Sequence, residues 1–191
     1  MELGQGKLFY LIGPSGSGKD SLLNSVRSQL IGTLPLLIAH RYITRSATAT
    51  GENHIALSDA EFLQRQQGGL FAMHWQANSC AYALGCEVHT WLDKGFSVLV
   101  NGSRGQLELA QRTFGERLQV IVVTVTADIL AQRLLARGRE NHEQITARLL
   151  RNEQLQQQLS DGFWRLDNSG LLQDSVDKLN EYLLQQIKRG D

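Results

Sequence analysis

The sequence predicts an α/β fold: a five-stranded parallel sheet flanked by helices, with a small lobe inserted into it. Three observations carry this. Residues 7–12 are a continuous apolar run that leads into a glycine-rich loop at 13–20 and then into a helical pattern. Further short apolar runs near 36–39, 96–100, 118–125 and 163–166 alternate with helical periods, the mark of parallel strands joined by crossover helices. Residues 40–84 break that alternation with a polar stretch, a helix and two strand-like runs.

Taken in order, residues 7–12 read as a strand buried on both faces. A helix is expected over 19–30, where Leu22, Leu23, Val26 and Leu30 share one face. Gly32 and Pro35 punctuate the turn into a second strand at 36–39. Residues 40–55 are polar, rich in Thr and Arg, and have no sustained period. Such a segment inside a compact domain usually carries function. Ser58 starts a helix, with Glu61 placed to complete a capping box, and Gly68 and Gly69 end it. Residues 71–75 and 79–84 read as short strands joined at Gln76, Ala77 and Asn78. A helix over 87–94 closes at Gly95, a third core strand covers 96–100, a helix covers 103–114, and the valine-rich run 118–125 is the fourth strand. Thr126 or Asp128 caps the next helix, with Ile129, Leu130, Leu134 and Leu135 turned inward. Residues 137–141 interrupt it, and a charged helix is expected over 142–159. The fifth strand falls at 163–166. The last helix, 171–188, aligns Leu172, Val176, Leu179, Leu183 and Ile187.

At 191 residues the chain has the length of one domain with a small insert. The core is expected at 1–39 and 85–191, the inserted lobe at about 40–84 and a lid at about 137–148. Lys+Arg and Asp+Glu balance at 19 each, so no global field argues for nucleic acid or an anionic membrane as partner. Cys80 and Cys86 make neither a disulfide framework nor a zinc-ligand pattern, which points to a reducing, cytoplasmic compartment.

The loop Gly13-Pro14-Ser15-Gly16-Ser17-Gly18-Lys19-Asp20 satisfies the phosphate-loop pattern at every position but the last. Its glycines let successive backbone N–H groups turn inward onto phosphate oxygens, and the helix that follows adds the positive end of its dipole. Lys19 is placed to reach the β- and γ-phosphates of a nucleotide. The last position, ordinarily a magnesium-binding hydroxyl, is Asp20, with a hydroxyl one step on at Ser21. The third strand ends at Asn101 and Gly102 and offers no acid there. Asp20 therefore reads either as a metal carboxylate moved from strand end to loop end or as a cap of the first helix.

Arginines gather in two places. Arg133 and Arg137 lie one turn apart on a predicted helix, with Arg139 past Gly138 and Arg148 on the helix after. Phosphoryl transfer needs cations on the migrating group once water is excluded, and a glycine-hinged arginine segment suits a closing lid. For Arg148 and Arg151 a solvated basic surface is the competing reading. The second group, Arg41 and Arg45, follows the second strand directly. Ligands of open parallel sheets sit beyond the carboxyl ends of strands, so these arginines suit an acceptor phosphate. Tyr82 and His54 are further candidates there, with plain packing as the alternative.

With these residues in place the chain resembles the guanylate kinases. Residues 13–19 resemble their phosphate loop, Thr44-Arg45 their acceptor-phosphate motif, and Arg133-Leu-Leu-Ala-Arg-Gly-Arg139 their lid. Within that superfamily it is most similar to the ribose 1,5-bisphosphate phosphokinases of phosphonate breakdown. The similar stretches are Gly13 to Leu22, His40 to Arg45, Glu52 to Ser58, Val98 to Arg104, Arg137 to Asn141 and Ser175 to Asp177. The resemblance implies a phosphate-loop kinase fold, ATP as donor with Mg2+, and ribose 1,5-bisphosphate as a small-molecule acceptor that becomes 5-phosphoribosyl 1-diphosphate. Arg137 is a candidate for the adenine, and the resemblance adds Asp167 and Asn168, for which a plain turn over 167–170 is the competing reading.

Guanylate kinases carry a serine four residues before the acceptor-phosphate arginine, where this chain has Arg41. They carry a glutamate nine residues before the phosphate-binding tyrosine. If that tyrosine is Tyr82, the position is Met73, which cannot bond a guanine edge. A nucleoside monophosphate kinase is the competing enzyme. A catalytically silent binding module is a third reading, and it is disfavoured by the presence of Lys19, Arg137 and Arg139.

Overall fold

The computed structural model describes residues 5–46, 54–138, 141–157, 159 and 161–188. Its elements run β1 (Leu8–Ile12), α1 (Lys19–Leu30), β2 (Leu36–Ile38), β3 (Arg41–Ile43), β4 (His54–Ala56), α2 (Asp59–Gln67), β5 (Phe71–Ala77), β6 (Cys80–Gly85) and α3 (Glu87–Asp93). They continue with β7 (Ser97–Asn101), α4 (Leu107–Phe114), β8 (Leu118–Thr124), α5 (Ala127–Arg137), α6 (His142–Gln157), β9 (Trp164–Asp167) and α7 (Leu172–Lys188).

The five expected core strands form one parallel sheet in the order β2-β7-β1-β8-β9. β1 is buried along its whole length and lies at the centre. Its alternation divides the core. Phe9 and Leu11 pack with Leu22, Val26 and Leu30 of α1 and Val176, Leu179 and Leu183 of α7. Leu8, Tyr10 and Ile12 pack on the other face with Val88 and Leu92 of α3 and Ala110 and Phe114 of α4. Each such side chain contributes about 1.5–3 kcal/mol on burial, so a strand without a polar position can sit only here. At its carboxyl end β1 opens into the loop, the end at which ligands of open parallel sheets sit.

A second sheet, order β4-β3-β6-β5, accounts for residues 41–85. It is fastened to the first through Ile43, Met73, Trp75, Tyr82 and Leu84, which join the core cluster of Leu8 and Tyr10. The stretch read as irregular, 40–55, contains β3 and β4, paired in parallel with Arg41 opposite His54. Each has three residues, too few to display a period. Residues 47–53 lie outside the described residues.

Local chemistry explains several boundaries. Ser58 Oγ accepts the Glu61 N–H at 3.2 Å, but the Glu61 carboxylate bonds Arg65 at 2.6 Å, so only half of the capping box forms. The β5–β6 turn sits one residue later than expected, at Asn78 and Ser79, both with positive φ (49° and 60°), as a two-residue hairpin turn of primed type requires. On α5, Leu130 and Leu134 are buried while Leu135 is exposed. It follows Leu134 by a single residue and so turns out of the stripe. Leu172, at the first position of α7, is likewise exposed.

Candidate active site

The loop between β1 and α1 closes on itself. Gly16 and Gly18 have φ of 96° and 89°, a region that side chains disfavour. Ser17 N–H bonds Pro14 O at 3.1 Å, and Lys19 Nζ donates to Gly13 O at 3.0 Å and Pro14 O at 2.9 Å. The lysine thus lies folded over the loop that a phosphate would fill.

Two residues from the far end of the chain brace this loop. Asn168, directly after β9 and 1% exposed, donates from Nδ2 to Ser17 O at 2.7 Å. A Cβ on Gly18 would stand 2.5 Å from that Nδ2, so glycine is needed for close approach as well as for φ. Arg133 of α5 donates from Nη2 to Asn168 O at 2.9 Å. Its other terminal nitrogen, Nη1, is buried without a hydrogen-bond partner and lies 3.9 Å from the same hypothetical Cβ. A buried, unpartnered guanidinium nitrogen aimed at a phosphate loop is a ready donor to phosphate oxygen.

Asn168 was expected near the adenine, yet its amide is turned under the loop, where it positions the backbone. Asp167 is exposed and accepts from Ser169 N–H at 3.0 Å and Ser169 Oγ–H at 2.6 Å, forming a turn that reaches the start of α5 through the Thr126 N–H. Arg139 and the side chain of Arg137 lie outside the described residues. Ser15 is exposed and Pro14 buried.

Beyond the loop, Asp20 occupies the first turn of α1, whose N-cap is Gly18. Asp20 is therefore not the cap. Its Oδ1 accepts from Asn101 Nδ2 at 2.8 Å. Asn101 is the last residue of β7, so the loop acid stands against the strand end that has none. Asn101 Oδ1 is buried without a hydrogen-bond partner. Among the described residues no group of three or more His, Cys, Asp or Glu gathers to cage a metal. Ser21, the other metal candidate, is exposed and lies outside the cavity that Asp20 lines.

That cavity, about 20 Å³, is bounded by Asp20, Asn24, Arg27, Ala39, Arg41 and Asn101 among others. Arg41 reaches it from β3, its guanidinium 5.3 Å from the centre of the Tyr82 ring, a distance typical of a cation–π contact. Tyr82 is 5% exposed and stacks on Trp75, so it serves as a platform for the arginine. His54 is buried and its Nε2 lies 3.2 Å from Arg45 O. It braces the backbone of Arg45. Thr44 locks the same segment by accepting the Ala81 N–H at 2.9 Å. Met73 is buried in the core. Arg148 is exposed on α6.

Three features escaped the sequence reading: the Asn168 strut, the Asn101–Asp20 bond and the phenol of Tyr10. Tyr10 Oη accepts from Ser103 N–H at 2.9 Å and donates to Ser103 O at 3.2 Å. Burial pushes its pKa up to about 12, against the opposing effects of the Ser103 bond and the Arg41 charge. Asn168 is singled out in the sequence, though for the adenine, and the missing acid at Asn101 is a visible signal; Tyr10 carries none.

A parallel sheet with a glycine loop, a lysine folded over it, an arginine aimed at it and a cationic second lobe defines a phosphate-loop kinase with the guanylate-kinase fold. The fold is that of the guanylate kinase from Anaplasma phagocytophilum, with a TM-score of 0.69 and 17% identity over 97% of this chain and 89% of that one. No family model matches the chain. Curated relatives carry the name ribose 1,5-bisphosphate phosphokinase PhnN. The Yersinia pestis protein is 51% identical over 93% of this chain and 91% of its own length. Those of Desulfomicrobium baculatum and Klebsiella pneumoniae are each 46% identical over 96% of this chain, covering 97% and 96% of their own lengths. The chain belongs to the ribose 1,5-bisphosphate phosphokinase family.

Proposed function

We propose that this chain transfers the γ-phosphoryl group of ATP to the 1-phosphate of ribose 1,5-bisphosphate, giving 5-phosphoribosyl 1-diphosphate and ADP, a step of phosphonate breakdown. Family membership supports the reaction. The geometric observation that carries it is Arg41 facing Asp20 and Asn101 across a shared cavity next to the phosphate loop. A cation stands there where a nucleobase reader would need an acceptor, and Met73 is buried in the core.

The acceptor is already an anionic phosphate oxygen at neutral pH, so no strong general base is required. Alignment and charge neutralisation do most of the work. Lys19 leaves the loop carbonyls for the donor's terminal phosphates. Arg133 donates Nη1 to the migrating group, with Arg137 and Arg139 closing over it as the lid. Arg41 and Arg45 orient the acceptor, braced by Tyr82 and His54. Asp20, steadied by Asn101, is the residue to hold magnesium, which supplies charge neutralisation on donor phosphate oxygens when bound. No helix among the described residues is long and apolar enough to cross a membrane, and the two free thiols, Cys80 and Cys86, suit a reducing cytoplasm.

One assay tests the reading. ATP is offered with ribose 1,5-bisphosphate or with GMP, and ADP release and the phosphorylated product are followed. We expect turnover of the sugar bisphosphate and a preference over GMP of about 10⁴-fold, the scale set by unpaired polar groups in a site. Robust turnover of GMP with none of the sugar bisphosphate overturns it.

A further inference from the structure

Arg104 lies three residues beyond the end of β7, in the short helical turn that follows Ser103. Its guanidinium is half-buried, and Nη1 donates to Asn152 Oδ1 of α6 at 2.6 Å. Asn152 is itself buried, at 8% exposure. Arg151 is its neighbour on α6, exposed, and Arg148 lies one turn earlier. Arg148 and Arg151, three positions apart, share the exposed face of α6, next to the buried Asn152. Neither Arg104 nor Arg151 is salt-bridged to a carboxylate among the described residues. Burial, together with the Arg151 charge, lowers the pKa of Arg104, yet a guanidinium keeps its proton in proteins. The Arg104–Asn152 bond sets the Arg104 guanidinium against α6 beside Arg151, with no carboxylate paired to either among the described residues, an arrangement that a bound anion relieves.

The sheet order says which anion. β7 and β2 lie on one side of β1, and β8 and β9 on the other. Arg133 and Asn168, the donor-side braces, follow β8 and β9. Arg104 follows β7, on the side where Arg41 follows β2. Tyr10 connects these two: its hydroxyl bonds Ser103, and the Arg41 charge acts on it. α6 bridges the sides, packing Ile145 and Leu149 near α5 while Asn152 holds Arg104.

We propose that Arg104 and Arg151, aligned by Asn152, form an anion subsite for the phosphate of the acceptor that does not react. This rests on the proposed reaction, in which that group is the 5-phosphate. Arg41 and Arg45 are then left to the 1-phosphate, beside the loop.

The test is a cycle between the protein and the substrate. Wild type, Arg104→Gln, Arg104→Lys and Arg151→Gln are assayed with ribose 1,5-bisphosphate and with ribose 1-phosphate, which lacks the 5-phosphate. Losing a charged hydrogen bond weakens binding by about 10–100-fold. Arg104→Gln and Arg151→Gln should each raise KM for the bisphosphate by about that factor, leave KM for ATP unchanged, and shrink the preference for the bisphosphate over ribose 1-phosphate equally. Arg104→Lys should recover part of the loss. An unchanged KM in both Gln variants, or equal losses on the two acceptors, overturns the subsite. Arg151 is exposed, so its variant decides the matter even if Arg104→Gln fails to fold. Absence of bisphosphate turnover by wild type is a different result: it overturns the proposed reaction and the subsite with it.

Discussion

On the donor side of the cleft, Lys19, Asn168 and Arg133 are already hydrogen-bonded to the phosphate loop or to one another. On the proposed acceptor side, Arg41, Arg104 and Arg151 come from β3, the turn after β7 and α6; Arg41 lies against the Tyr82 ring and Arg104 bonds Asn152. The first side is a cradle already bonded together, in which Lys19 exchanges its loop carbonyls for phosphate when ATP arrives. The second is a set of cations on a lobe, a strand end and a helix, brought together only by long-range packing. Donor-side changes should therefore appear in the rate of the chemical step. Acceptor-side changes should appear in acceptor binding.

The largest effect expected is on the donor side. Lys19→Met removes a cation aimed at charge that develops during transfer, and kcat should fall by about 10³-fold. KM for the acceptor should stay within about threefold of wild type. The matched change across the cleft, Arg41→Met, should raise KM for the acceptor by about 10–100-fold with KM for ATP unchanged. Steady-state kinetics of ADP release, varying each substrate in turn, check both. If the two substitutions move the same parameter, the division between the sides is wrong.

A smaller effect tests where the two sides meet, at Asp20. Asp20→Asn should weaken the magnesium dependence of ATP binding by about tenfold or more, a loss typical of a disturbed ligand shell. The double change Asp20→Asn with Asn101→Asp returns the carboxylate to the strand end, across the bond of 2.8 Å, and should recover most of that loss. Calorimetric titration of ATP at graded magnesium reads both. If neither Asp20→Asn nor Asp20→Ser changes the magnesium dependence, Asp20 does not hold the metal.

The same division decided what could be read from the sequence. The loop is a contiguous motif whose spacing encodes its geometry, so its residues were legible. So were the five core strands, four as apolar runs and β9 as a short stretch in which Leu166 is buried between exposed Arg165 and Asp167. Arg133 was legible from its helical spacing to Arg137, and Arg41 as a charge that follows a strand, though their partners were not. Asn168 is an ordinary turn residue until the fold sets it under Ser17, 151 positions away in sequence. Asn101 gains its meaning from Asp20, 81 positions distant. The strands β3 and β4 are held by pairing and by the core beneath them, and three residues show no period. Local pattern reports local geometry; contacts between distant segments leave a trace only where an expected residue type is missing.

The smallest effect comes from Tyr10, beneath the acceptor side. Its pKa is pushed up to about 12 chiefly by burial, while in the unfolded chain it titrates near the ordinary value of about 10. Between those values the unfolded chain has released the proton and the folded chain has kept it. The unfolded state binds fewer protons there, so stability falls as pH rises. The contribution is complete below pH ~10 and lost by pH ~12, amounting to about 2–3 kcal/mol. Tyr10→Phe has no phenol to titrate. At pH 8 it should be less stable by about 1–3 kcal/mol, because Ser103 N–H loses its acceptor. From pH 10 to 12 its stability should decline less steeply than that of wild type. Tyr42 and Tyr182, whose pKa values burial also raises, remain in both proteins and cancel in the difference. Urea unfolding at pH 8, 10 and 11 measures it, and parallel declines would mean that Tyr10 is not held neutral. Because Ser103 leads directly into Arg104, the same variant should raise KM for the acceptor by about threefold at neutral pH and leave KM for ATP alone. Equal shifts in both constants would show that the two sides of the cleft move as one body.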